Sequence, residues 1–241
     1  MRTLAALALA LALALALPVD AGALQLSVGS VQVPADQADA ELWLDNPDPA
    51  PWSGQARLYR WEQHEDAEQL QPAEDVALSP SILEIPPGQR QRLRVVRLGA
   101  APAQVQQAYR LVITPDPALP AATAPRYSLP VFLDPPAAPE VASMLQIRVR
   151  PGPSAQLQLY NGGPRHAHLA DLVFIDSHGS RQVVIAGLAG YVLPYQRRTW
   201  TLPARPDHYA AGRFRARLDH AAEADLPDLP PEIAASARSG L

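Results

Sequence analysis

Cysteine is absent from this 241-residue chain, so no disulfide and no thiolate metal site can staple it. Each domain must instead be held by its own buried apolar side chains. Lysine is absent too: all 20 basic residues are arginine. Every cationic group is therefore a planar fork suited to carboxylates. The formal net charge of −4 gives no drive towards nucleic acid or an anionic membrane, and neither is expected as a partner. Long stretches free of helix breakers are scarce, since 27 prolines and 13 glycines are scattered throughout. The motifs of common enzymes are missing: there is no G-x-S-x-G elbow, H-E-x-x-H, Walker loop or G-x-G-x-x-G. No catalytic residue, cofactor or metal is assigned. His166 and His168 would share a face on a strand, but no third ligand lies near them in sequence, and a solvated His-x-His pair is the simpler expectation. Asp171, Asp176 and His178 could suggest acid–base work, yet Ser177-His178-Gly179-Ser180 has the composition of a hairpin turn.

One long apolar run is present, at the start. Arg2 precedes an Ala/Leu stretch over residues 4–17, shorter than the roughly 18–20 residues of a spanning helix, and Ala21-Gly22-Ala23 supplies small residues at an A-x-A site. Residues 1–23 are expected to be a signal peptide. The mature chain would then begin at Leu24, exported and not inserted in a membrane.

Alternation with a period of two dominates the rest. Leu42 and Leu44 alternate with Glu41 and Asp45; Tyr109, Leu111 and Ile113 flank Arg110; Leu145, Ile147 and Val149 alternate with Gln146, Arg148 and Arg150; Phe214, Ala216 and Leu218 alternate with arginines. Strands with one polar side suit antiparallel sheets wetted on one face. Turn signals such as Asn46-Pro47-Asp48-Pro49, Pro86-Pro87-Gly88 and Asn161-Gly162-Gly163-Pro164 separate them. The expected fold class is all-β, built of sandwiches. Asp134-Pro135-Pro136-Ala137-Ala138-Pro139 cannot pair inside a sheet and marks a stiff joint. It divides a first domain at 24–134 from a second at 140–220, with the linker at 135–139. Residues 221–241 are acidic and proline-rich and are expected to be a disordered tail.

Two stretches carry more. Leu78-Ser79-Pro80-Ser81-Ile82-Leu83-Glu84-Ile85-Pro86-Pro87-Gly88-Gln89 leads into an arginine-rich strand and then Tyr109-Arg110-Leu111-Val112-Ile113. Arg126-Tyr127-Ser128-Leu129-Pro130-Val131-Phe132 runs into the proline-rich joint. In this order they resemble the periplasmic pilus-assembly chaperones of the chaperone–usher pathway. Tyr160-Asn161-Gly162-Gly163 and Gly190-Tyr191-Val192-Leu193-Pro194 resemble the archaic branch, which serves spore-coat-protein-U-like pilins. The resemblance implies two immunoglobulin-like β-sandwich domains in a boomerang arrangement. It also implies pilin-like subunits and an outer-membrane usher as partners, and donor-strand complementation, for which this family is a standard example.

In that mechanism the chaperone lends an edge strand to a subunit that lacks one. Odd positions counted back from the joint give Val131, Leu129, Tyr127, Pro125, Thr123, Ala121 and Leu119 as the donor face. The outer part is small-sided and broken by Pro120 and Pro125, so an ordinary loop with no lent strand stays open beside it. Family members hold the subunit's terminal carboxylate with a basic pair. The expected first-strand base is missing from Ser30-Val31-Gln32-Val33, and Arg110 with Arg126 is the substitute that alternation offers; two solvated strand arginines are the alternative. Arg90, Arg92 and Arg94 are expected to form an exposed stripe. A secreted adhesion or carbohydrate-binding module on the same fold is the competing function, and would call for an exposed platform among Trp43, Trp52, Trp61 and Trp200.

Overall fold

The structure, a computed structural model, describes residues 23–64, 67–119, 125–136, 144–150, 152 and 154–229. The signal peptide, Ala121 and Thr123 of the donor face, most of the proline-rich linker and the end of the tail lie outside the described residues.

Among the described residues, ten strands form the first domain: β1 (Gln25–Leu26), β2 (Val31–Val33), β3 (Asp39–Asp45), β4 (Trp52–His64), β5 (Ala67–Pro72), β6 (Val76–Ser79), β7 (Ile82–Ile85), β8 (Arg90–Arg97), β9 (Gln107–Pro115) and β10 (Tyr127–Leu133). They make two sheets, β1-β3-β8-β6 and β2-β10-β9-β4-β5, with β7 also on β4. The alternating residues decide which side faces in. Leu42, Leu44, Leu93 and Val95 from one sheet meet Tyr109, Leu111, Ile113, Leu129 and Val131 from the other in a single core. On the wet side of the first sheet the arginine stripe is cross-paired. Arg94 meets Asp39 at 2.9 Å, Arg92 meets Glu41 at 3.3 Å, and Arg90 lies 4.4 Å over the Trp43 ring.

Seven strands among the described residues form the second domain: β11 (Leu145–Arg150), β12 (Gln156–Asn161), β13 (Ala167–Asp176), β14 (Arg181–Val192), β15 (Arg197–Thr201), β16 (Gly212–Leu218) and β17 (Glu223–Asp225). Sheets β11-β12-β15 and β14-β13-β16-β17 enclose a second core that includes Leu157, Leu159, Leu169, Phe174, Val192 and Phe214. No helix occurs among the described residues.

The expected disordered tail needs correction at its start. Residues 223–229 are a strap between the two sheets of the second sandwich. β17 pairs with β16, and then the Ile147 amide donates to the Pro227 carbonyl at 2.8 Å and the Leu229 amide to the Ile147 carbonyl at 2.7 Å. Leu226 and Leu229 are buried, and Glu223 takes Arg181 and Arg215 as partners. Two leucines and one well-placed carboxylate are enough to dock a stretch that is otherwise acidic and proline-rich.

Candidate functional site

β10 runs antiparallel to β9 from Tyr127↔Ile113 to Leu133↔Gln107. Its other edge is covered by β2 only at Val131, Phe132 and Leu133. On that edge, residues 127–130 therefore present backbone that no strand among the described residues pairs, on the strand that leads back to residues 120–124. An unpaired edge is a template for another chain. Pro130 contributes no donor there. The side chains differ from the expected donor face. Leu129 and Val131 point into the first core, 5% and 0% exposed, and are not available to a partner. Tyr127 and Leu119 pack on the rim of that core and Pro125 is exposed. Groove-filling side chains thus have to come from the outer positions, of which Ala121 and Thr123 are outside the described residues.

The other end of β10 enters a cleft between the domains. Phe132 stacks on His166 of the second domain with centroids 3.6 Å apart. Trp61, Ala108, Phe132 and Leu193 make a small core across the joint, with Tyr191 packed against it. Gln106 is buried and bonded through both ends of its side-chain amide. Its carbonyl oxygen accepts from the His166 amide at 2.9 Å and from His166 Nδ1 at 2.7 Å, and its Nε2 donates to Asp134 at 2.7 Å. Burial moves the His166 imidazole down to about 4, with Asp219 opposing and His168 and Arg165 adding to the shift. His166 is thus a neutral interface residue rather than a solvated one. Among the described residues no group of three or more His, Cys, Asp or Glu side chains could hold a metal ion.

A second bridge comes from the β4–β5 hairpin, whose strands reach past the first sandwich. Gln63 is 4% exposed; its Nε2 donates to the Tyr191 carbonyl at 2.9 Å and its Oε1 accepts from the Leu193 amide at 3.0 Å. The Gln63 amide donates to Gln196 Oε1.

Beside this bridge sits an arginine clamp. Arg110, on β9, lies 3.7 Å over the Trp61 ring, and its Nη2 is 3.5 Å from Glu68 Oε2. Arg198, on β15 of the second domain, places Nη1 3.3 Å from Glu68 Oε1 and 3.4 Å from the Tyr191 carbonyl. One carboxylate is thus shared by two guanidinium groups from two domains. Burial lowers the Arg110 pKa; Glu68 opposes this and Arg198 adds to it. Gly190 makes room for the arrangement. Its φ is +135°, and a Cβ there would fall 2.5 Å from Arg198 Nη1 and 3.0 Å from its Cζ. A side chain at 190 would push Arg198 out of its seat.

Of the expected anchor pair, Arg110 is in the cleft and Arg126 is not. Arg110 is opposite Pro130, whereas Arg126 precedes Tyr127, which is opposite Ile113. Four positions along a strand is roughly 13 Å, so the two do not meet although their strands are neighbours and they share a face. Sequence reasoning missed Arg198 and Glu68. The signal for Arg198 is Gly190, which opens the Gly190–Pro194 motif and leaves the space its guanidinium occupies. Glu68 carries no signal at all on an exposed hairpin strand.

The remaining candidates are structural. Asp176 accepts from the His178 and Ser180 amides at 2.9 Å each, which is turn chemistry. Trp52 and Trp61 are buried, Trp43 lies under Arg90 and Trp200 under Arg198, so the tryptophans build no exposed platform.

Residues 23–138 match the family model described as pili and flagellar-assembly chaperone, PapD N-terminal domain, which is a chaperone family and not an enzyme family. No curated protein sequence matches the chain. Solved structures with the same fold include the CsuC–CsuE complex of a chaperone and a tip adhesion subunit, from archaic chaperone-usher Csu pili of Acinetobacter baumannii. The likeness there has a TM-score of 0.70 at 19% identity and covers 87% of this chain and 100% of that one. The Pseudomonas aeruginosa CupB2 chaperone matches with a TM-score of 0.60 at 19% identity, over 83% and 97%. A structure of the Salmonella enterica SafA pilin with the SafB chaperone matches with 0.60 at 19%, over 85% and 95%. At these identities the likenesses establish the fold: two sandwiches in series.

Proposed function

We propose, from the match of residues 23–138 to the PapD N-terminal domain family of pili and flagellar-assembly chaperones, that the protein is a periplasmic chaperone that captures pilin-like subunits and passes them to an outer-membrane usher. The observation that carries this reading is the junction of two features. The free edge of β10 at residues 127–130 leads along the strand into a cleft where Arg110 and Arg198 close on one carboxylate. A subunit short of one strand exposes unpaired backbone and an apolar groove. The β10 edge satisfies the backbone, and the outer donor positions Leu119, Ala121, Thr123, Pro125 and Tyr127 fill the groove. The subunit's terminal carboxylate takes the two guanidinium groups, which fixes the register of the added strand because the clamp does not move along it. No covalent step and no nucleotide is involved. Chaperone structures of this fold that hold a tip adhesion subunit or a pilin support the same partner class here.

The test is co-expression with a pilin-like subunit, followed by recovery of the complex. Arg110→Ala combined with Arg198→Ala should reduce capture strongly, since leaving a buried partner charge unpaired costs about 2–5 kcal/mol. Recovery at the wild-type level from a folded double variant would remove the clamp from the site.

A further inference from the structure

The carboxylate already in the clamp belongs to the protein itself. Glu68 sends one oxygen to Arg110 of the first domain and the other to Arg198 of the second, at 3.5 and 3.3 Å. We propose that Glu68 is a resident occupant of the client-carboxylate site, masking the two arginines in the free protein and leaving when a subunit's terminal carboxylate enters. This rests on the clamp reading given above and adds to it a competition inside the chaperone.

The three side chains are held unequally. Arg110 is pressed on Trp61 and its side chain is 16% exposed; Arg198 is fixed against the Tyr191 carbonyl in the space that Gly190 leaves. Glu68 sits on β5, where every residue is exposed, and among the described residues its ion pairs are with these two arginines. The cations are therefore built into the fold and the anion is hung from an edge. Turning Glu68 into solvent breaks two part-exposed ion pairs, and such pairs are individually weak. Removing either arginine would undo packing as well. Glu68 also serves the empty state. Two guanidinium groups facing one cleft repel each other, and a resident anion keeps them in place between clients. Capture then exchanges one carboxylate for another with little rearrangement of either domain. The barrier is set low enough that a client strand, which brings backbone pairing along with its carboxylate, wins.

The test uses the mature chain and a fluorescently labelled ten-residue peptide of alternating Val and Thr, with a free C-terminal carboxylate or with a C-terminal amide. Glu68→Gln keeps the shape of the side chain and removes its charge. It should tighten binding of the carboxylate peptide about fivefold, the scale of a part-exposed ion pair, and leave the amide peptide unchanged. If Glu68→Gln and wild type bind the carboxylate peptide equally, and both prefer it to the amide, masking is overturned and the clamp stands. If Glu68→Gln lowers the thermal midpoint without changing peptide affinity, Glu68 is an interdomain brace and masking is again overturned. If neither protein prefers carboxylate to amide, the clamp reading fails and the masking falls with it.

Discussion

Replacing Gln63 by leucine tests whether the β4–β5 hairpin holds the two domains in the relation the clamp needs. The side chain is 4% exposed and completes two backbone groups of the second domain, the Tyr191 carbonyl at 2.9 Å and the Leu193 amide at 3.0 Å. Leucine fills the volume but leaves both groups without that partner. Each unsatisfied buried group costs about 1–3 kcal/mol, so the joint should lose roughly 2–6 kcal/mol, less what the Arg198 contact to the Tyr191 carbonyl retains. Since the loss falls on the interface and on neither core, the two sandwiches should uncouple. Urea unfolding followed by tryptophan fluorescence, with Trp61 at the joint, should resolve two transitions or show a midpoint shift matching that loss. Carboxylate-peptide affinity should fall in the same variant, because Arg110 and Arg198 come from different domains. An unchanged curve, within about 0.5 kcal/mol of wild type, would refute the assignment of the hairpin as the domain brace.

Gly190→Ala should displace the Arg198 guanidinium and strain a backbone at φ +135°, lowering carboxylate-peptide affinity while Gly99→Ala, in open space, changes nothing; titration of the labelled peptide checks this. His166 has a folded pKa of about 4 against 6.5 when unfolded, so the unfolded chain binds the extra proton between those values and stability falls as pH drops from 6.5 to 4. The loss is at most about 3 kcal/mol, and smaller for the part of the ring that meets solvent, and His166→Gln should remove it from a pH series of urea midpoints. Leu226→Ala should cost the second domain about 2–5 kcal/mol in urea unfolding, whereas a disordered tail would lose nothing.

The alternation of Leu42 and Leu44, of Leu111 and Ile113, and of Phe214 and Ala216 was legible because a period of two leaves no choice of face once one side is wet. The turns at Asn46 and Asn161 were legible for a related reason. Each asparagine ends a strand and uses its own amide to tie down backbone, Asn46 to the Ala50 and Ile85 carbonyls and Asn161 to the Arg165 and Val192 carbonyls. The strap was not legible, because Leu226 and Leu229 show no periodicity and their partners are far away in sequence. The clamp was half legible. Alternation put Arg110 on the outer face of β9, but the choice of Arg126 assumed that two residues sharing a face also share a register. The register instead places Pro130 opposite Arg110, and the second cation arrives from another domain, which no spacing rule reaches. The inward burial of Leu129 and Val131 follows the same alternation that suggested them as donors; the pattern fixes the face and does not say whether the face meets its own core or another protein's.

The central claim is that β10 lends its free edge, and amide hydrogen exchange on the mature chain, alone and bound to a co-expressed pilin-like subunit, tests it most directly. The Tyr127 and Leu129 amides face β9, and Ser128 faces the edge that no strand among the described residues covers. Exchange at the Ser128 amide should be fast in the free protein and should slow by at least about tenfold in the complex as it enters a ladder. Residues 131–133, already paired with β2, should change little. If the subunit binds while exchange at Ser128 stays fast and another edge, such as that of β14, becomes protected instead, then β10 is not the lent strand.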